Sequence, residues 1–115
     1  MEIHPAKDKP VFPAHVFVAR LDGAQCRTLR AFYPRIAKVL HFPDYFGKNL
    51  DALFDCLCSL EAVGSDHIVL LLDNFDEFLS KEKAEKRLAA LDVLRDAEKS
   101  DNRYDNAHFQ VIGLK

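Results

Sequence analysis

A small α/β domain, built as β-α-α-β-α-α-β around a three-stranded parallel sheet, is the fold that the sequence predicts. Three observations carry that prediction. Residues 67–72 (HIVLLL) are a nearly continuous apolar run, typical of a strand buried on both faces. Two other runs rich in β-branched and aromatic residues, 15–21 (HVFVARL) and 108–114 (HFQVIGL), read as its neighbours. Between the three runs lie helical patterns and no hairpin turn. The connections are therefore crossovers, and crossovers join parallel strands.

Each element follows in chain order. Residues 1–14 are expected to be a flexible extension, because Pro5, Pro10 and Pro13 disfavour helix and central strand alike. A single domain then spans 15–115. The turn pair Asp22-Gly23 closes the first strand. A helix follows, with Thr28 as its N-cap and Leu29, Phe32, Ile36, Val39 and Leu40 at helical spacing. Pro34 lacks an N–H and clashes with the carbonyl four residues back, so that helix either begins near Pro34 or kinks there. Residues 41–48 (HFPDYFGK) form a loop. Asn49 then caps a second helix, roughly 50–62, with Asp51 in the first turn where the helix dipole favours a carboxylate.

On that second helix, Leu50, Leu53, Phe54, Leu57 and Leu60 share one apolar arc, while Asp51, Asp55 and Ser59 fall on the other side at i, i+4, i+8. Gly64-Ser65 ends the segment before the central strand. Residues 75–79 suggest a short helical turn. Residues 81–99 form the last helix, with Ala84, Leu88, Leu91 and Leu94 expected to face inward.

Composition bounds what such a domain does. With 49% hydrophobic and 30% charged residues over 115 positions, the chain is globular and large enough to fold without a metal or disulfide. No apolar run approaches the ~20 residues of a membrane span, and the first ten residues lack the apolar core of a signal peptide. Three cysteines, an odd number, point to a reducing compartment, so the expected address is the cytoplasm. Charge is segregated. Residues 1–40 carry seven Lys/Arg against three Asp/Glu, whereas 49–80 carry seven acids and no Lys or Arg. The second stretch repels polyanions and attracts cationic surfaces, which speaks against nucleic-acid binding there. A solvated acidic face without a partner would show the same pattern.

Enzyme signatures are sparse. The four glycines are scattered and form no phosphate-binding loop. The five histidines have no metal-ligand spacing, and Cys56 and Cys58 point 200° apart on a helix, so they cannot chelate together. No cofactor is expected. The most enzyme-like feature is the Asp51/Asp55 pair, which could serve a metal or acid–base chemistry if a third ligand and a pocket were present. Two acids at i, i+4 repel, and a local conflict of that kind often marks a functional face.

The run Pro43-Asp44-Tyr45-Phe46-Gly47-Lys48-Asn49-Leu50-Asp51-Ala52-Leu53-Phe54-Asp55-Cys56-Leu57 closely resembles the signature of the barstar family, intracellular inhibitors of barnase-like ribonucleases. The family pattern there is Pro-acid-aromatic-aromatic-Gly-x-Asn-Leu-Asp-Ala-Leu-aromatic-Asp-Cys-Leu. Asp22-Gly23-x-Gln25 and Leu94-Arg95-Asp96-Ala97 fit it more weakly, and the resemblance covers about residues 15–115. It implies a barstar-like fold that inhibits by plugging the enzyme's cationic cleft, with no catalysis of its own. By position, Asp55 would take the place of a phosphate and Asp51 would be a second acidic contact. Tyr45 would lie over the catalytic histidine region, with Asn49, Leu50 and Phe54 lining the contact and Asp96 reaching the rim. Phe46, standing where the family has a second tyrosine, and Ser59, next on the acidic face, complete the expected partner-binding set.

The chain also departs from the family. It has no tryptophan, so the aromatic helix position is Phe54, and Leu60 stands where a second aromatic contact is usual. Residues 1–14 have no family counterpart. The partner implied is a basic ribonuclease or a toxin nuclease domain, with neither nucleic acid nor membrane as a target. An interaction module serving a non-ribonuclease partner and a metal-dependent enzyme using Asp51 and Asp55 are the alternatives.

Overall fold

In the computed structural model, residues 1–8, 10–100 and 108–115 are described. Strands β1 (Glu2–His4), β2 (Phe17–Asp22), β3 (His67–Asp73) and β4 (His108–Leu114) form one parallel sheet in the order β1-β4-β3-β2. Helices α1 (Leu29–Val39), α2 (Leu50–Ser59) and α3 (Ala84–Glu98) supply the crossovers. The element expected at 75–79 is a single 3₁₀ turn, Phe75–Glu77.

The sheet has four strands where three were expected. The added one pairs Glu2 with Ile112 and His4 with Leu114 along the free edge of β4. Without it, the N–H and C=O groups on that side of β4 would lack strand partners. Pro5 follows the strand and so does not interrupt it. The Met1 α-amino group pairs with Glu98 at 2.5 Å, and the other carboxylate oxygen of Glu98 accepts the Val111 N–H at 2.9 Å. These contacts tie β1, α3 and β4 together.

β3 is buried on both faces, as its apolar run predicts. Ile68, Leu70 and Leu72 join Ala19, Leu21, Phe109 and Val111 beneath the three helices, which contribute Phe32, Ile36, Leu53, Leu57, Leu91 and Leu94. Val69 and Leu71 look the other way, with Ile112 and Leu114, and Phe12, Val16 and Val18 pack against them. The proline-bearing segment before β2 therefore covers the sheet face that the helices leave open.

Of the two alternatives for α1, a start near Pro34 is excluded, and the buried face of α3 and the end of α2 are corrected. α1 starts at Leu29, five residues before Pro34, because Thr28 Oγ1 accepts the Ala31 N–H (3.2 Å) and the distant Glu82 carboxylate accepts the Leu29 N–H (2.7 Å). That double capping offsets the hydrogen bond that Pro34 cannot donate. On α3, Ala84 and Leu88 are exposed, and the buried stripe is Ala90, Leu91, Leu94 and Ala97. The inward side of its first turns is taken instead by Arg87, whose guanidinium lies 5.6 Å from the Phe75 ring centroid and donates to the Phe78 carbonyl at 3.0 Å. α2 also stops earlier than 62, because Leu60 adopts a left-handed φ of 50° after Ser59.

Gly23 shows why the β2 end needs glycine. A Cβ there would collide with the Asn74 carbonyl and lie 2.8 Å from the Asp73 oxygen and 3.0 Å from the Phe78 nitrogen. All three are backbone atoms. Next to it, Asp22 accepts from Asn74 Nδ2 (2.8 Å) and the Ala24 N–H (2.9 Å). The Asn74 bond first, and the Ala24 bond second, hold its carboxyl below the usual value of 3.8.

Two outcomes are expected. Gly23→Ala should lower stability by about 1–3 kcal/mol in urea denaturation, since rigid backbone must move to admit the methyl group. A carboxyl with a depressed pKa stabilises the fold above its ordinary pKa, and that stabilisation is lost as pH falls through the folded value. Asp22→Asn should therefore show a shallower loss of stability than the parent below about pH 4, measured as melting midpoint against pH.

Candidate functional site

The site is built on α2 and the loop before it. His41 and Lys48, with φ of 56° and 52°, are both left-handed and bracket that loop. Between them the chain is fixed by Phe42 N–H to the Ala37 carbonyl (2.9 Å) and Phe46 N–H to the Pro43 carbonyl (3.0 Å). Phe46 is the anchor. It is 9% exposed and packs edge-on against Phe42 (5.0 Å) and Tyr33 (5.8 Å). With Phe46 turned into the core, its neighbour Tyr45 stands 85% exposed.

Asn49 starts α2. Its side-chain oxygen accepts the Ala52 N–H at 2.8 Å, and its amide donates to the Gly47 carbonyl at 3.3 Å. Leu53 and Leu57 are fully buried and set the rotation of the helix. Asp51, Asp55 and Ser59 are consequently exposed, whereas Leu50 and Phe54 are half-buried against the core edge. Among the described residues, neither Asp51 nor Asp55 forms an ion pair or side-chain hydrogen bond. Asp51 sits in the first turn, where the helix dipole supports its charge. Asp55, one turn on, has no such support.

A groove of about 310 Å³ runs between the loop and the end of α2. Tyr45, Asp55 and Ser59 line it, together with His41, Pro43 and Glu61. Three of the nine residues expected from the sequence thus meet at one concavity. Asn49, Asp51, Leu50 and Phe54 lie on the same helix outside it, Phe46 supports it from the core, and Asp96 is exposed on α3 away from it. His41 and Glu61 were not anticipated. They flank the motif in sequence and reach the groove only because the loop folds back on the helix end, which no local pattern signals.

The chemistry available is recognition. An unpaired carboxylate, a phenol and a hydroxyl around a shallow groove suit a cationic side chain of a partner. Asp51 and Asp55 have no third protein ligand, since no group of three or more His, Cys, Asp or Glu is placed to hold a metal among the described residues. Cys26, Cys56 and Cys58 are free thiols. Burial, and then the Asp55 charge, push the Cys56 thiol up, so this groove-lining cysteine stays protonated and weakly reactive.

Fold and site together define a small α/β domain whose second helix exposes two carboxylates, Asp51 and Asp55, beside a groove. The model of the family described as Barstar (barnase inhibitor) matches residues 16–112, and the chain belongs to that family. It is 36% identical over 56 residues to the Bacillus subtilis (strain 168) protein named "Putative ribonuclease inhibitor YrdF". That match covers 49% of this chain and 58% of the relative's length.

The Asp55–Cys56 coupling is open to measurement. Cys56 should alkylate slowly with iodoacetamide at neutral pH. Asp55→Asn should speed that reaction about two- to fivefold by removing the neighbouring charge, read by peptide mass mapping with Cys58 as internal reference.

Proposed function

We propose that this protein inhibits a barnase-like, guanyl-type ribonuclease, as the immunity partner of a toxic nuclease, by docking α2 and the preceding loop into its cationic active site. The observation that carries the reading is Asp55: exposed, without a salt bridge among the described residues, and set in a groove beside the exposed Tyr45. Family membership supports the ribonuclease-inhibitor class.

In this reading Asp55 stands in for the substrate phosphate and accepts hydrogen bonds from the enzyme's Arg, Lys and His. Asp51 adds a second charge nearer the helix start, and Tyr45 covers the catalytic histidine. Asn49, Leu50, Phe54 and Ser59 complete the contact, Phe46 holds the loop in shape, and Asp96 meets the rim. Binding alone blocks the enzyme, with no covalent step and no cofactor. The opposed fields of a cationic cleft and this helix speed the encounter, which makes association sensitive to salt. The free thiols suit a cytoplasmic setting.

The test is inhibition of a panel of barnase-like ribonucleases by the parent chain and by Asp55→Ala at two salt concentrations. The expected loss on truncation is about 3–5 kcal/mol, because the enzyme's desolvated cations are left without a partner. Asp51→Ala should cost less and act mainly on the association rate. Absence of inhibition across the panel would turn the reading toward a module that binds a non-ribonuclease partner.

A further inference from the structure

On the other side of the loop lies a second groove, of about 570 Å³, lined by Leu29, Arg30, Tyr33, Pro34, Lys48, Glu82 and Lys86. Its three cations come from three elements: Arg30 from α1, Lys48 from the loop and Lys86 from α3. None of them is in an ion pair among the described residues. The one acid present, Glu82, has an oxygen engaged by the Leu29 N–H at 2.7 Å. In a chain of net charge −2, this is a concentrated cationic spot.

Tyr33 is the second observation. It is only 8% exposed, yet its hydroxyl has no hydrogen-bond partner among the described residues. No fully buried side-chain polar atom there lacks a partner, so the hydroxyl is the part of Tyr33 that opens onto the groove. The groove thus combines a phenol with a guanidinium and two ammonium groups, three cations against the single charge of Glu82, and such donors suit an oxyanion.

We propose that this groove receives a carboxylate-bearing segment of the protein partner. The inference rests on the reading of α2 as the partner-binding helix and adds that the partner carries acidic side chains beside its cationic cleft. A nucleic-acid strand fits less well. Lys48 is three residues from Asp51 and four from Asp44, within about 14 Å along the backbone, so a polyanion seated here would run into the acidic face. A protein with a basic cleft and an acidic rim meets both fields with the right sign. Opposite charges on the two sides of one loop then fix the docking orientation and reject nucleases whose rim is basic.

The groove can be tested without any nuclease. The isotope-labelled full chain is titrated at low salt with the short peptide Gly-Glu-Glu-Gly, its ends blocked, and, separately, with an eight-residue oligouridylate, following amide signals by NMR. The diglutamate peptide should move the signals of Arg30, Tyr33, Lys48 and Lys86. Tyr33→Phe keeps the ring that anchors Phe46 and should weaken binding about three- to tenfold, the net value of a typical hydrogen bond. Arg30→Glu with Lys86→Glu should abolish the response, while Lys99→Glu, at the far end of α3, should leave it within about twofold. No movement of these signals, equal binding by parent and charge-reversed chains, or tighter binding of oligouridylate would overturn the proposal. Binding of the diglutamate peptide with no inhibition of any ribonuclease would sink the nuclease reading and leave the groove standing.

Discussion

The rest of the structure hangs on β3. With Ile68, Leu70 and Leu72 on one face and Val69 and Leu71 on the other, this strand has no exposed side and belongs to two apolar layers at once. One layer needs helices, because parallel strands are joined by crossovers long enough to cover it. The other is closed by the chain before β2, through Phe12 and Val16. The sheet thereby becomes a fixed platform, and the helix that carries the acids acquires its orientation from it.

That orientation is what exposes the acids. Leu53 and Leu57 are fully buried in the core, and a helix that puts them inward must turn Asp51 and Asp55 outward. Two like charges a turn apart oppose helix formation. Asn49 at the N-cap and the buried leucines offset that opposition, and among the described residues the carboxylates have no ion-pair partner. The loop follows the same logic in miniature. Burial of Phe46 between Phe42 and Tyr33 holds a segment bracketed by two left-handed residues, and the outward position of Tyr45 follows from it.

Tyr33 links the two grooves physically. Its ring supports Phe46 beneath the acidic groove, and its hydroxyl opens onto the basic one. Arg30 from the base-rich first third of the chain, Lys48 from the loop and Lys86 from α3 thus form a basic surface adjoining the acidic one, with the loop between them.

Sequence alone determined the α/β class, the buried central strand, the caps at Thr28 and Asn49, and the outward acids of α2. Each depends on periodicity or on hydrogen bonds between residues within a few positions of one another. The resemblance carried by residues 43–57 pointed to the family in the same local way. Tertiary structure decided what depends on distant partners. Glu2–His4 became a strand only because β4 offered it an edge, and α1 runs through Pro34 with Glu82 from another part of the chain capping its start. Ala84 and Leu88 stay exposed while Arg87, between them in sequence, packs over Phe75. The meeting of His41 and Glu61 with Asp55, and of Arg30, Lys48 and Lys86 around Tyr33, is likewise a product of packing. Short-range patterns report which way a side chain faces along its own element, and only the packing of elements decides what it faces.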